Sequence, residues 1–267
     1  MRTRVFAGLT TGALALTALT GTAAQADDRA SASRATPPKI TKVTVNGGKD
    51  LVVGVSKKTF TIKVTAKDDS GISIALAALW RGGTSADNPQ TILMPDIRMG
   101  DCVQSSDTTS TCTLKVVADP KSPEGLFDLT NAGAGKWHVA VAADSIDGGS
   151  VERQKYGTHQ VKRAAKLTAD ATPEPVRRGD ALTVSGSLTR ADWNTHKYNG
   201  VASSAVKLQF KKKGTSTWRT VKTVKADSRG KVRTTTKPTA DGDFRLSYPG
   251  TATTAGVTSK ADFVDVR

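Results

Sequence analysis

The stretch AVKLQFKKKGTSTWRTVKTV, residues 205–224, decides the fold. Val206, Leu208 and Phe210 alternate with Lys207, Gln209 and Lys211, the two-residue period of a strand with one dry face and one wet face. Lys212 to Ser216 reverse the chain. Thr217 to Val224 then returns it with β-branched residues around Trp218, so the segment reads as a β-hairpin. Between Trp218 and Val221 the alternation slips, which predicts a bulge near Thr220.

Outward from the hairpin the same grammar repeats. Towards the C-terminus, Val232 to Thr236, then Phe244, Leu246 and Tyr248, then Phe263 to Val266 read as strands, separated by turns at Asp227 to Gly230 and Pro249-Gly250. Towards the N-terminus, Leu182 and Val184 mark another strand, followed by an expected polar loop from Arg190 to Gly200, and Lys162 to Lys166 reads as a short polar junction. Before the junction, Phe60, Ile62 and Val64 alternate with Thr61, Lys63 and Thr65 until Asp68-Asp69-Ser70-Gly71 breaks the run. Ile74, Leu76, Ala78 and Trp80 continue at period two, and Trp137, Val139 and Val141 form a further strand. The Ala and Leu content of Ile72 to Trp80 also suits a helix, but so short a run between glycine turns has strand length. Each half therefore holds about seven short strands with turns roughly every 8 to 12 residues, the pattern of an antiparallel sandwich.

The run Val206-Lys-Leu-Gln-Phe-Lys-Lys-Lys-Gly, then Trp218, Asp227-Ser-Arg-Gly and Asp241-Gly-Asp-Phe-Arg, resembles bacterial immunoglobulin-like domains of secreted actinobacterial proteins. Ala66-Lys-Asp-Asp-Ser-Gly-Ile and Gly135-Lys-Trp-His-Val are similar to the same broad superfamily. The resemblance implies an all-β fold of two tandem Ig-like antiparallel β-sandwich domains, residues 39–163 and the basic residues 164–267. Its motifs are architectural, so it implies adhesive or binding roles without naming a ligand. No cysteine pair links the two sheets as in antibody domains, which leaves the strand topology open.

Ahead of the sandwiches, Arg2 and Arg4 precede an uncharged run from Val5 to Leu19, and Ala24-Gln-Ala26 forms a small-residue cleavage site. Residues 1–26 read as a secretory signal peptide, and residues 27–38 as a disordered lead. The run is too short and too rich in Thr and Gly for a membrane span. The expectation is a secreted, extracellular monomer with no membrane insertion. The two cysteines, Cys102 and Cys112, suit an oxidising compartment and either pair with each other or stay free. A bridge would pin one hairpin, contributing about 2 to 3 kcal/mol.

Net charge is +15, and residues 164–267 carry 19 Lys and Arg against 9 Asp and Glu, so the second half is the basic one. Lys207, Lys211, Lys212, Lys213 and Arg219 are expected on the solvent face and turn of the hairpin, with Lys222 and Lys225 close by. Such density attracts polyanions, although exposed lysines also serve to keep strand edges apart. Only Trp218 is interleaved among these cations, which argues against sequence-specific nucleic-acid recognition.

Two other groups stand out. If Phe60 to Lys67 is strand B and Trp137 to Ala143 is strand F of the first sandwich, the loops after them share one end and bring Asp68 and Asp69 near Asp144 and Asp147. Four carboxylates there suit calcium, although each Asp also closes its own turn and no twelve-residue calcium loop exists. Trp193, His196 and Tyr198 put aromatic side chains in a polar connector, either to pack the domain junction or to meet a ligand.

His138, His159 and His196 are not spaced as a metal pair, and no nucleophile elbow or phosphate-cradling loop appears, so catalysis is not expected. The sequence reads as a non-catalytic binding or structural module at the cell envelope, with an anionic cell-wall polymer, a glycan or a protein as partner and no cofactor. The alternative is an extracellular calcium-binding protein. A disulfide-pinned inhibitor loop at Ser105 to Ser110 is a third reading.

Overall fold

A computed structural model describes residues 35–95, 101–122 and 129–267. The expected signal peptide and the start of the lead, up to residue 34, lie outside the described residues.

Strands build almost everything. The first half contains β1 (Lys39–Val45), β2 (Leu51–Val53), β3 (Lys58–Lys67), β4 (Ile72–Arg81), β5 (Thr91–Leu93), β6 (Asp101–Ser106), β7 (Thr109–Ala118), β8 (Gly135–Ser145) and β9 (Ser150–Arg163). They form one sheet in the order β1-β3-β7-β6 and a second in the order β2-β9-β8-β4-β5. Pairing is antiparallel except for β2, which runs parallel to β9 and so departs from the all-antiparallel expectation. Phe60, Ile62, Val64 and Ala66 of β3 and Cys112, Leu114, Val116 and Ala118 of β7 point inward against Leu79, Trp137, Val139 and Val141 of the other sheet. Alternation in the sequence becomes one wall of a dry core.

The second half contains β10 (Ala165–Leu167), β11 (Asp170–Thr172), β12 (Leu182–Asp192), β13 (Lys197–Gly200), β14 (Ala205–Lys212), β15 (Arg219–Lys225), β16 (Lys231–Thr236), β17 (Gly242–Tyr248), β18 (Val257–Thr258) and β19 (Asp262–Val264). One sheet gathers β10, β11, β13 and β16 around β12; the other runs β15-β14-β17-β18, with β19 also on β17. Leu182, Val184, Leu188, Val206, Leu208, Phe244 and Leu246 close a separate core between them. The all-β sandwich fold is thus observed; among the described residues the helical segments are two single 3-10 turns.

Three local expectations are corrected. The polar loop at Arg190 to Gly200 is a hairpin: β12 continues to Asp192 because Ala165 to Leu167 pair with its end, and β13 returns along it. The junction at Lys162 to Lys166 shrinks to Ala164, since β9 ends at Arg163 and β10 begins at Ala165. In β4 a register shift between Ile72 and Ile74 moves Ala75, Ala77 and Leu79 to the main core. Ala78 and Trp80 consequently face away from it, buried with Ala86, Ile92 and Ala140 in a satellite core.

β12 belongs to both cores. Leu182, Val184 and Leu188 pack in the second, whereas Ala191 and, just past the strand, Trp193 pack in the first.

Candidate functional site

At the far end of the first sandwich the loops after β3 and β8 do meet. The Ile146 N–H donates to Gly71 O at 3.1 Å and the Asp147 N–H donates to Ser70 Oγ at 3.3 Å. Gly71, at a φ of 92°, takes the left-handed turn that starts β4. One oxygen each from Asp68, Asp69 and Asp147 comes within 4.8 Å of the others. Asp68 is buried, and its Oδ1 accepts from the Ser70 N–H at 2.9 Å and the Ser70 hydroxyl at 2.6 Å. Asp147 Oδ1 accepts from the Ser145 hydroxyl at 2.5 Å and the Gly149 N–H at 3.3 Å. The Ser145 hydrogen bond holds the Asp147 carboxyl below the usual value against the opposing pull of desolvation. Asp68 and Asp147 therefore each close a turn, Asp69 shares the Ser70 N–H with Asp68, and the two turns converge. Asp144 does not join them. β8 stays in the ladder through Ser145, so Asp144 pairs in register with Ile74 and Ser150 and sits on the opposite side of the pleat from Ser145.

Cys102 and Cys112 lie directly across the β6–β7 pair and are joined as a disulfide. The bridge pins the hairpin whose turn falls at Asp107 and Thr108, within the segment considered as an inhibitor loop.

The basic hairpin divides into three groups. Lys207 and Lys211 lie on the outer face of β14, and the bulge falls where expected, with Val221 as the extra residue opposite Leu208 and Gln209. That extra residue reverses the phase of β15. Lys222 comes opposite inward-facing Leu208 and donates to Thr235 O at 3.1 Å, and the Arg219 guanidinium stands 5.3 Å from the Phe210 ring centre. Lys211 and Lys213 pair with Asp243 at 3.0 Å and Asp241 at 3.3 Å. Among the described residues Lys207, Lys212 and Lys225 are exposed and make no ion pair. Above this face Trp218, half-buried, carries the Arg245 guanidinium 3.8 Å from its ring centre and the Lys211 ammonium at 5.3 Å. Arg245 is held there by Gln209 Oε1 at 2.8 Å. A cleft of about 290 Å³ opens at the same edge, between Phe210, Arg219, Val221, Thr236, Lys237 and Phe244.

Trp193, His196 and Tyr198 are all at the junction. Trp193 is 1% exposed, lies in the first core and donates Nε1–H to Val53 O at 3.2 Å. Its own N–H donates to Asn131 Oδ1 at 2.9 Å, and Asn131 N–H donates to Asn194 Oδ1 at 2.7 Å. His196 Nε2 is 2.8 Å from Pro120 O, and Tyr198 packs on the first core with the Lys166 ammonium 3.8 Å from its ring centre. Asp192 ties the turn: Oδ1 accepts from the Asn194 and Thr195 N–H groups, and Oδ2 accepts from Asn199 Nδ2. The Thr195 N–H chiefly, with Asn131, Thr195 and Asn199 side chains assisting, lowers its pKa to about 2.

The sequence reading missed the arginines beside this plug. Arg163 is 9% exposed; its N–H donates to Thr253 O at 3.0 Å and its carbonyl accepts from Ala255 N–H at 2.9 Å. Arg190 Nη1 donates to Thr254 Oγ1 at 3.2 Å. Burial first, with Arg190 adding to it, pushes the Arg163 guanidinium pKa down against the opposing pull of Asp192 and Tyr248. The available signal was phase: Arg163 shares the inward face of β9 with Val161, an anomalous place for a charge.

Comparison with known proteins adds the following. A family of unknown function (DUF5707) matches residues 52–143. No curated protein matches the chain. Among solved structures, the chain is similar to the D00-D0 domain of Intimin, with 14% identity over 84% of this chain and 99% of that one and a TM-score of 0.27. It is likewise similar to the D0-D1 domain of Intimin, with 15% identity over 85% and 98% and a TM-score of 0.26. Dimeric latent PorU from Porphyromonas gingivalis is 16% identical over 86% of this chain, with a TM-score of 0.28, and the chain spans 20% of PorU.

Proposed function

We propose that this is a secreted, non-catalytic binding module that holds an anionic cell-wall polymer or acidic glycan on the outer face of its second sandwich. The observation that carries the reading is the uneven use of cations. Lys211 and Lys213 are matched by aspartates, whereas among the described residues Lys207 and Lys225, further along the pair of strands from Trp218, and Lys212 at the turn end of β14 stay exposed and without an ion pair. Unpaired cations on a sheet edge set up a field that concentrates a polyanion and gain free energy by releasing its counterions. An indole already flanked by Arg245 and Lys211 offers a flat surface beside those charges. Two of the three histidines support a non-catalytic role: His138 lies tilted against Trp80 with ring centres 4.6 Å apart, and His196 is occupied with Pro120. Retention on heparin resin tests the reading. The protein should remain bound through moderate salt; elution at low salt would remove the proposal.

A second reading, calcium binding, is favoured by the convergence of Asp68, Asp69 and Asp147. Calcium takes six to eight oxygens, so backbone carbonyls of the two turns and solvent would complete the set. Its test is a thermal melt in chelator against millimolar calcium: a higher midpoint with calcium supports it, and an unchanged midpoint disposes of it.

A further inference from the structure

We propose that the domain junction is an oxyanion site, in which a phosphate group is held between the guanidinium groups of Arg163 and Arg190, one from each sandwich. Arg163 is 9% exposed, and among the described residues it forms no ion pair. Its Nε is buried without a hydrogen-bond partner. Buried charges are ordinarily paired, because an unpaired one forfeits its hydration without recovering it.

The neighbour that ought to supply the countercharge supplies the same charge. Arg190 leans towards the same segment, bonding Thr254 Oγ1, while the backbone on either side of Thr254 clasps Arg163. Asp192 is near enough to attract Arg163, yet among the described residues it forms no ion pair with it, and its hydrogen bonds are spent on its own turn, on Asn194, Thr195 and Asn199. Arg163 lies beside Thr254 in a parallel bridge and Arg190 bonds the hydroxyl of that threonine, so the two like charges are neighbours and the acceptor Arg190 has there is a neutral one. A tetrahedral oxyanion answers both, since its oxygens can accept a planar N–H fork from each side. A neutral sugar would leave the charge uncompensated. An anion here would also cross-link β9 to β12 and stiffen the pair of sandwiches. The site is separate from the lysine face of β14 and β15, so the proposal does not rest on polymer binding there.

The test uses the full chain at fixed pH and ionic strength, with inorganic phosphate replacing chloride, and dimethyl phosphate in a parallel arm. The Nε–Hε resonances of Arg163 and Arg190 should move saturably, with Arg219 and Arg245 unmoved. The melting midpoint should rise by about 3 to 6 °C at ten times the dissociation constant. Arg190→Gln should abolish the rise, and combined Lys207→Gln, Lys212→Gln and Lys225→Gln should preserve it. A response to phosphate alone supports a free ion as the ligand, and a response to both supports a phosphodiester as well. Stationary Arg163 and Arg190 resonances would overturn the proposal even if Arg190→Gln fails to fold, and so would a full rise in that variant.

Discussion

The first sandwich buries Trp80 and Trp137 and takes in Trp193 from the second half, all at 1% exposure or less, whereas the second sandwich keeps Trp218 on an open sheet under Arg245 and Lys211. An indole inside a core contributes packing; the same ring outside, with cations on it, makes a surface. The dependence between the halves is also one-sided. The first core includes Ala191 and Trp193 from beyond the junction, but the second core is built from residues 165 onward. The first sandwich is thus completed by its neighbour, and the second is self-sufficient and free to carry charge.

The sharpest way to break this contrast is Trp193→Ala. Removing a fully buried indole that also donates to Val53 O should cost about 3 to 5 kcal/mol, falling on the first sandwich. Denaturant unfolding followed by hydrogen exchange in each half reads it out. A loss under about 1 kcal/mol, or one confined to residues 165 onward, would mean that the plug is incidental. Replacing both Cys102 and Cys112 by serine should cost the first sandwich about 2 to 3 kcal/mol, since the bridge closes a short loop with a sequence separation of 10. Equal protection factors before and after would show that the β6–β7 edge bears no load.

A smaller effect separates the two halves by pH. The Asp192 pKa is depressed in the folded state, so its contribution is complete above the unfolded carboxylate range near pH 4 and is lost as pH falls towards about 2. Asp192→Asn should therefore melt lower than the parent at pH 6, by about 1 kcal/mol for its lost charge-assisted bonds, and the gap should close by pH 2. A gap that stays constant across that range would show that Asp192 acts through shape rather than charge.

Much of this was legible in residue order because alternation and turn chemistry are local. The β14–β15 hairpin, its bulge and the short strands follow from period and spacing, and the meeting of the Asp68 and Asp147 turns follows once their strands are placed in a sandwich. What was hidden depended on partners. The end of β12, Thr189-Arg190-Ala191-Asp192, has no clear alternation, and only pairing with Ala165 to Leu167 makes it a strand. β4 is apolar on both faces, so its sequence did not reveal that Ser73 sits at a register shift or that residues beyond Arg81 cover Trp80. The one extra residue at Val221 was readable, but its consequence, that Arg219 and Lys222 leave the lysine face, requires the register with β14. Asp144 was misplaced by a strand end two residues later than expected.

The salt dependence of polyanion binding tests the central claim most directly. With heparin as the probe, the slope of log affinity against log salt should be steep for the parent chain and shallower by about 2 when Lys207, Lys212 and Lys225 are all changed to glutamine, with the melting midpoint unaltered. A slope identical in parent and variant would mean that the exposed lysines of the second sandwich are not where a polyanion is held.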